Sequence, residues 1–136
     1  TSMWGLVAPA SGANTVSVAF SGPPGYLVVH ARSYNNVNQS ASLGTAAGAV
    51  GTDAEATVNV SSAANELVVD GTTTQGTAGR TVTLGAAQTS DYNLLSTDNE
   101  IRASGSSEPG AGTVTMSWTV SSSGDWAIVA VPLKPV

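Results

Sequence analysis

The sequence predicts an all-β protein, an antiparallel sandwich or barrel of about eight to ten strands with no substantial helix. Apolar residues alternate with hydroxyl residues at a spacing of two, as in Val114, Met116 and Trp118, which share one face of a strand. Clusters of Gly, Pro, Asn, Asp and Ser separate these stretches and have the composition of tight turns. No stretch combines helical periodicity with helix caps.

The individual strands follow from this alternation and from runs that are apolar on both faces. Residues 26–29, 67–69 and 126–133 are such runs, and we expect their strands to lie centrally in a sheet. The Ala- and Gly-rich stretch 44–51 is interpreted as a loop because its glycines interrupt it. We predict strands at residues 3–7, 14–20, 26–34, 56–60, 66–71, 80–85, 98–103, 112–120 and 125–134, with a further possible strand at 87–93.

Composition excludes several functional classes. Four basic residues stand against nine acidic ones, giving a net charge of −5, so we expect no binding of nucleic acid. The chain has no Cys and one His, which excludes disulfides, thiolate chemistry and sites built on two histidines. Of its 136 residues, 18 are Ser and 16 are Thr. No apolar run is long enough to predict a membrane span.

The chain shows no internal repeat and no linker, so we predict a single domain over residues 1–136. Its first residues lack the charged start and hydrophobic stretch of a signal peptide. A mature product, a fragment and a cytosolic protein all fit this observation. The neutral, hydroxyl-rich and lysine-poor composition favours a secreted or surface-exposed mature protein, and we expect an extracellular location.

Several stretches resemble a known family. They are residues 4–18, the Asn-rich residues 34–37, residues 105–118 and the closing residues 126–135. Together they resemble a family of jelly-roll-like β-sandwich domains of bacterial extracellular and surface proteins and of some phage structural proteins. The resemblance covers nearly the whole chain and implies a jelly-roll-like sandwich. Its motifs are structural, so it implies no catalytic residues.

The resemblance also suggests that an additional pair of strands usually precedes the position of Trp4. Either the sandwich is a truncated but closed form, or a strand from a neighbouring chain completes it by donor-strand pairing. In the second case the terminal residues 1–8 or 126–136 are the candidates for exchange. The predicted assembly residues are Met3, Trp4, Leu6, Trp126, Ile128 and Val136.

Catalytic and metal sites have weak sequence support. His30 is the single candidate base for a serine hydrolase, and no Gly-x-Ser-x-Gly motif accompanies it, so we interpret it as part of a polar strand face with Arg32. The nine carboxylates are scattered, which favours solvated turn positions over an acid–base pair. We predict no catalytic residues, no metal ligands and no cofactor. Structural calcium at residues 53–55 or 98–100 stays a minor alternative.

Surface aromatic residues give a second functional hypothesis. Trp118 and Trp126 lie in apolar strands and are expected in the core. Tyr34 and Tyr92 lie beside Asn-rich turns, and with Asn35 and Asn93 they form a weak candidate site for a glycan. Asn38 and Asn59 each begin an N-x-[ST] sequon, which does not by itself predict glycosylation.

The sequence therefore favours a non-enzymatic extracellular structural module that forms a homo-oligomer or polymer, with a filament subunit joined by strand complementation as one form. Faces of Ser and Thr can pack against other subunits with little cost of charge desolvation. A carbohydrate-binding module is the alternative, and a phage or virus structural component is the third reading.

Overall fold

Eight strands form two antiparallel sheets in the computed structural model, which describes residues 1–76 and 80–136. The predicted all-β sandwich and the number of strands are confirmed, and the described residues contain no helix. The strands are β1 (Ala47–Gly51), β2 (Glu55–Ser61), β3 (Leu67–Gln75), β4 (Val82–Leu84), β5 (Thr89–Leu95), β6 (Ile101–Pro109), β7 (Thr113–Val120) and β8 (Trp126–Leu133).

Strands from the beginning of the sheet region pair with strands from its end. One sheet has the order β1-β8-β3-β6-β5, and the other has the order β2-β7-β4. The nested antiparallel pairs β1 with β8, β2 with β7 and β3 with β6 are those of a jelly roll. Strand β5 departs from the nested pattern because it pairs with β6 and forms an edge of the larger sheet.

The core lies between the two sheets and is formed by alternating apolar residues of β2 and β7 and by residues of the apolar runs in β3 and β8. The three-stranded sheet contributes Val58, Val60 and Met116, and the five-stranded sheet contributes Val68 and Ile128, all buried. Burial of each such side chain contributes about 1.5–3 kcal/mol relative to its exposure to water. The remaining members of this cluster are Ala56, Val114, Trp118, Trp126 and Ala130.

The strands predicted at residues 3–7, 14–20 and 26–34 are wrong, since the structure places no strand there. These stretches have the alternation of a strand, but a strand also requires a neighbouring backbone with which to pair. All eight strands found in the described residues lie between Ala47 and Leu133. Residues 1–36 therefore supply apolar side chains without being part of either sheet.

The loop predicted at residues 44–51 is also wrong in part, because Ala47–Gly51 is strand β1. Its small residues leave room for a large neighbour: a Cβ on Gly51 would lie 2.3 Å from Cζ2 of Trp126. Strand β6 likewise runs to Pro109, beyond the strand predicted at residues 98–103. A Cβ on Gly105 would lie 2.3 Å from Cε1 of Tyr92. Close approach of an aromatic ring, rather than a turn, accounts for both glycines.

The Gly105→Ala substitution tests this packing. The added methyl group would displace the Tyr92 ring, so we expect the free energy of unfolding to fall by about 1–3 kcal/mol. Gly112→Ala is the matched control, since a Cβ there meets nothing within 4 Å. Urea denaturation of the two variants and the parent chain measures the difference. Equal stability of all three would show that the ring does not depend on this glycine.

Candidate functional site

The outer face of the five-stranded sheet, which points away from the three-stranded sheet, is partly covered. Val69, Ala103 and Val131 lie on this face, outside the main core, yet only 5%, 8% and 6% of their surfaces are exposed. Residues 1–36, here called the N-terminal segment, contribute to the cover. Met3 reaches the middle of the sheet, where its Cε lies 3.6 Å from the position of a Cβ on Gly71.

A cluster of aromatic and charged side chains fixes the other end of the N-terminal segment to β5. The rings of His30 and Tyr92 stack with centroids 4.0 Å apart and planes inclined by 20°. The guanidinium of Arg32 forms an ion pair with Asp91, and its Cζ lies 5.2 Å from the centroid of the Tyr34 ring. Burial raises the pKa of both tyrosines, so their phenols stay neutral at physiological pH. The cluster holds residues 30–34 on the sheet.

The four residues predicted to bind a glycan do not form one platform. Tyr92 lies between His30 and Gly105, so both faces of its ring are in contact with protein. Asn93 accepts a hydrogen bond from Nη1 of Arg102 at 2.6 Å. Tyr34 and Asn35 do lie together, beside a surface depression of about 180 Å³ that Asn36 also lines.

The six predicted assembly residues fall into two groups. Trp4, Leu6 and Val136 are 93%, 81% and 92% exposed, and Met3 is 37% exposed. Trp126 and Ile128 are buried in the core, on a strand paired on both sides within the chain. The backbone of β8 is therefore already paired on both sides within the chain. The exposed apolar residues lie mainly in the N-terminal segment.

The middle of the N-terminal segment presents a row of exposed apolar side chains. Val16, Val18 and Phe20 are 68%, 51% and 49% exposed, and they alternate with polar or small residues. No charged residue occurs among residues 1–29. Such a row is costly in water, and contiguous exposed apolar surface commonly marks a site of contact.

A buried carboxylate, which the sequence analysis did not single out, joins the two sheets. Asp70 is 4% exposed and accepts hydrogen bonds from Nε1 of Trp118 at 2.8 Å and from Oγ of Ser106 at 2.9 Å. Gln88 continues this network: its Nε2 donates to Oγ of Ser106 at 2.6 Å, and its Oε1 accepts from the backbone N–H of Ser117 at 2.9 Å. A carboxylate directly after the apolar run 67–69 was the available signal in the sequence.

The surroundings of Asp70 favour its neutral form. Burial raises its pKa to about 6, although the hydrogen bonds from Trp118 and Ser106 act in the opposite direction. The neighbouring inner face of β3 and β6 is polar as well: the hydroxyls of Thr72, Thr74 and Ser104 are buried without a hydrogen-bond partner in the described part of the chain. These polar side chains of β3 and β6 therefore lie in the interior of the sandwich.

The sequence candidates for catalysis do not come together. His30 stacks on Tyr92 at the outer face, whereas Asp70 points between the sheets. The carboxylates of the calcium candidates bind other side chains: Asp53 accepts from Nε1 of Trp126 at 2.9 Å, and a hydrogen bond from Ser96 lowers the pKa of Asp98. Within residues 1–76 and 80–136 no group of three or more His, Cys, Asp or Glu side chains could hold a metal ion.

Both sequons have structural uses for their asparagines. Oδ1 of Asn38 accepts from the backbone N–H of Ser40 at 2.9 Å in a turn, and Oδ1 of Asn59 accepts from Oγ1 of Thr115 at 2.7 Å across the β2–β7 pair. Both amides thus take part in local hydrogen bonds.

Comparisons with known proteins give no relatives. No family model matches the chain, and neither the curated proteins nor the solved structures give a match. The resemblance to the jelly-roll-like surface domains therefore stays a prediction. Among the residues that the structure describes, no helix has the length and apolar character needed to cross a membrane.

The titration of Asp70 predicts how stability depends on pH. Its pKa of about 6 in the fold exceeds the ordinary value of 3.8, so between these values the folded state binds a proton more tightly than the unfolded chain. The stabilisation is complete below the lower value and is lost as the pH rises through the higher one. From about pH 4 to pH 7 we expect this group to lower the free energy of unfolding by roughly 2 kcal/mol.

Urea denaturation of the parent chain and of Asp70→Asn across this pH range measures the effect. The amide of the variant does not titrate and can still accept from Trp118, so subtracting its curve isolates the carboxyl group. Parallel curves for the two proteins would contradict the assignment.

Proposed function

We propose that this chain is a non-enzymatic, extracellular structural module that assembles with copies of itself through its N-terminal segment. The observation that carries the proposal is the uncharged row Val16, Val18 and Phe20, which is about half or more exposed and belongs to neither sheet. Contact with a second copy would remove this row from water and provide partners for its backbone.

The distribution of charge supports self-association. All nine acidic residues lie at or beyond Asp53, and no charged residue lies among residues 33–52. Two copies that meet through residues 14–20 and 33–52 would desolvate no charged side chain, and such desolvation is a main cost of forming an interface. Residues 53–136 carry nine acidic and three basic residues, and the fourth basic residue, Arg32, lies outside the apolar row.

The polar groups support a structural rather than a catalytic role. Asp70, whose raised pKa suits a general base, is enclosed by Trp118 and Ser106. His30 is occupied by its stacking on Tyr92. The extracellular location rests on the composition and on the resemblance, which also admits a phage or virus shell as the assembly.

A row-specific pair of variants tests self-association. Sedimentation velocity over a range of concentrations should show oligomers of the parent chain. Combining Val16→Lys with Val18→Lys puts charges on the apolar row and should leave a monomer. Combining Thr15→Lys with Ser17→Lys adds the same charge to the alternating positions and should retain most of the association. A parent chain that stays monomeric at every concentration would refute the proposal.

Binding of a glycan is a second candidate function, favoured by the depression beside Tyr34 and Asn35. Tyr34 is 37% exposed, and its ring can stack on a sugar while the asparagine amides bond to hydroxyls. This candidate function depends on the single ring of Tyr34, since the ring of Tyr92 lies between His30 and Gly105.

Binding to insoluble polysaccharides and to a glycan array distinguishes this candidate. We expect a bound glycan to be lost on Tyr34→Ala and retained on Tyr26→Ala, because Tyr26 is also exposed, at 52%, and does not line the depression. Absence of binding by the parent chain, or equal binding by both variants, would eliminate the site at Tyr34.

A further inference from the structure

The four edge strands of the two sheets differ in how well they resist pairing with another chain. Strand β5 has a bulge between Ser90 and Tyr92, and its Asp91 forms an ion pair with Arg32 of the N-terminal segment. Strand β4 has three residues, and β2 begins with the exposed charge of Glu55. Bulges, short length and charge are the features by which proteins protect sheet edges.

Strand β1 has none of these features. Its sequence from Ala47 to Gly51 has no charge and no proline, and its pairing with β8 is regular. Because β8 is its single neighbour in the sheet, about half of its backbone groups point away from the sheet. Its Val50 is 80% exposed. An uncharged, regular edge with an exposed apolar side chain is a template for another strand.

An apolar groove accompanies this edge on the outer face. It has a volume of about 350 Å³ and is lined by Val50, Ala127 and Val129, among others. Side chains of an added strand that point to the outer face would pack into this groove beside Val50. The edge thus offers both backbone pairing and an apolar contact on one side.

Residues 14–20 have the complementary properties. They are uncharged, lie outside both sheets, and carry Val16, Val18 and Phe20 on one face and hydroxyl residues on the other. Their seven residues can extend along the whole of the five-residue β1. A strand with this pattern would direct its apolar face into the groove and its hydroxyls to the opposite side.

We infer that β1 of one copy accepts residues 14–20 of a second copy as an additional strand of the five-stranded sheet. This inference rests on the proposed self-assembly and specifies its surface. Within one chain, Met3 lies over the central strand β3, while His30 and Arg32 are held at β5, the edge opposite β1. These contacts keep both ends of the segment on the outer face, and Thr1 lines one side of the groove. In the described residues β1 pairs with β8 alone, so the backbone groups on its other side are open to a neighbour. Reciprocal exchange gives a closed dimer, and one-directional exchange gives a polymer.

Disulfide trapping tests the contact directly because the natural chain has no cysteine. A Val18→Cys chain is mixed with a Val50→Cys chain under mild oxidation, and non-reducing electrophoresis measures the mixed dimer. We expect it to form several-fold faster than the dimer of Val18→Cys with Leu94→Cys, in which the second thiol lies on β5 at a residue 44% exposed in the parent. Equal rates for the two mixtures would overturn the inference.

A chain that carries both Val18→Cys and Val50→Cys separates exchange from pairing within one molecule. Exchange predicts covalent dimers and longer species at all but the highest dilution. A covalent monomer as the main product would overturn the inference, since the segment would then pair with its own β1.

Val50→Lys tests the edge without cysteine. A lysine at this exposed position protects an edge at little cost to the fold, so we expect self-association to weaken by about tenfold or more. Leu94→Lys on β5 is the matched control and should leave association unchanged. If the parent associates and Val50→Lys has no effect, this inference fails while self-assembly stands. If the parent does not associate, the proposed function itself fails.

Discussion

The nested pairing of β1 with β8, β2 with β7 and β3 with β6 is the constraint on which the rest of the structure depends. It gives the strands of residues 47–133 their backbone partners and brings the apolar faces of the two sheets together. It also leaves the first third of the chain without a place in either sheet. The exposed apolar row of the N-terminal segment and the unprotected edge at β1 are two consequences of the same pairing.

The interior is held together by polar contacts as well as by apolar packing. Asp70 on β3 bonds to Trp118 on β7, and Gln88 bonds to groups on β6 and β7, so the network fixes the relative position of the sheets. A carboxyl group in this position is tolerated because several donors surround it and because its raised pKa permits protonation. The network contributes a specific alignment that Val and Ile contacts, which are non-directional, do not provide.

Local patterns predicted the fold class and the core, since the alternation in β2 and β7 reports which side chains are buried and the apolar runs in β3 and β8 predict central strands. They could not predict the N-terminal segment, because residues 14–20 have the same alternation and lack only a partner strand, which is a property of the whole fold. The extents predicted for β1 and β6 were wrong because Gly51 and Gly105, which suggest loops in the sequence, make room for aromatic rings from other strands. Met3, Trp4 and Leu6 were predicted as assembly residues, and the structure shows that they are exposed. Asp70 and Gln88 were not singled out, because their contacts depend on how β3, β6 and β7 come together.

The contrast between the edges bears most directly on function. An edge such as β5, with a bulge and with Asp91 bound to Arg32 of the same chain, resists further pairing. Packing explains only part of the β1 sequence. Gly51 accommodates the ring of Trp126, but Val50 is 80% exposed, so packing within the chain does not account for an apolar residue there. An exposed valine at an uncharged edge, in a chain that also carries an unpaired strand-like segment, is best explained if the two meet. In the proposed assembly, the hydroxyl residues that alternate with the core lie on the surfaces left exposed, where they are hydrated without adding charge.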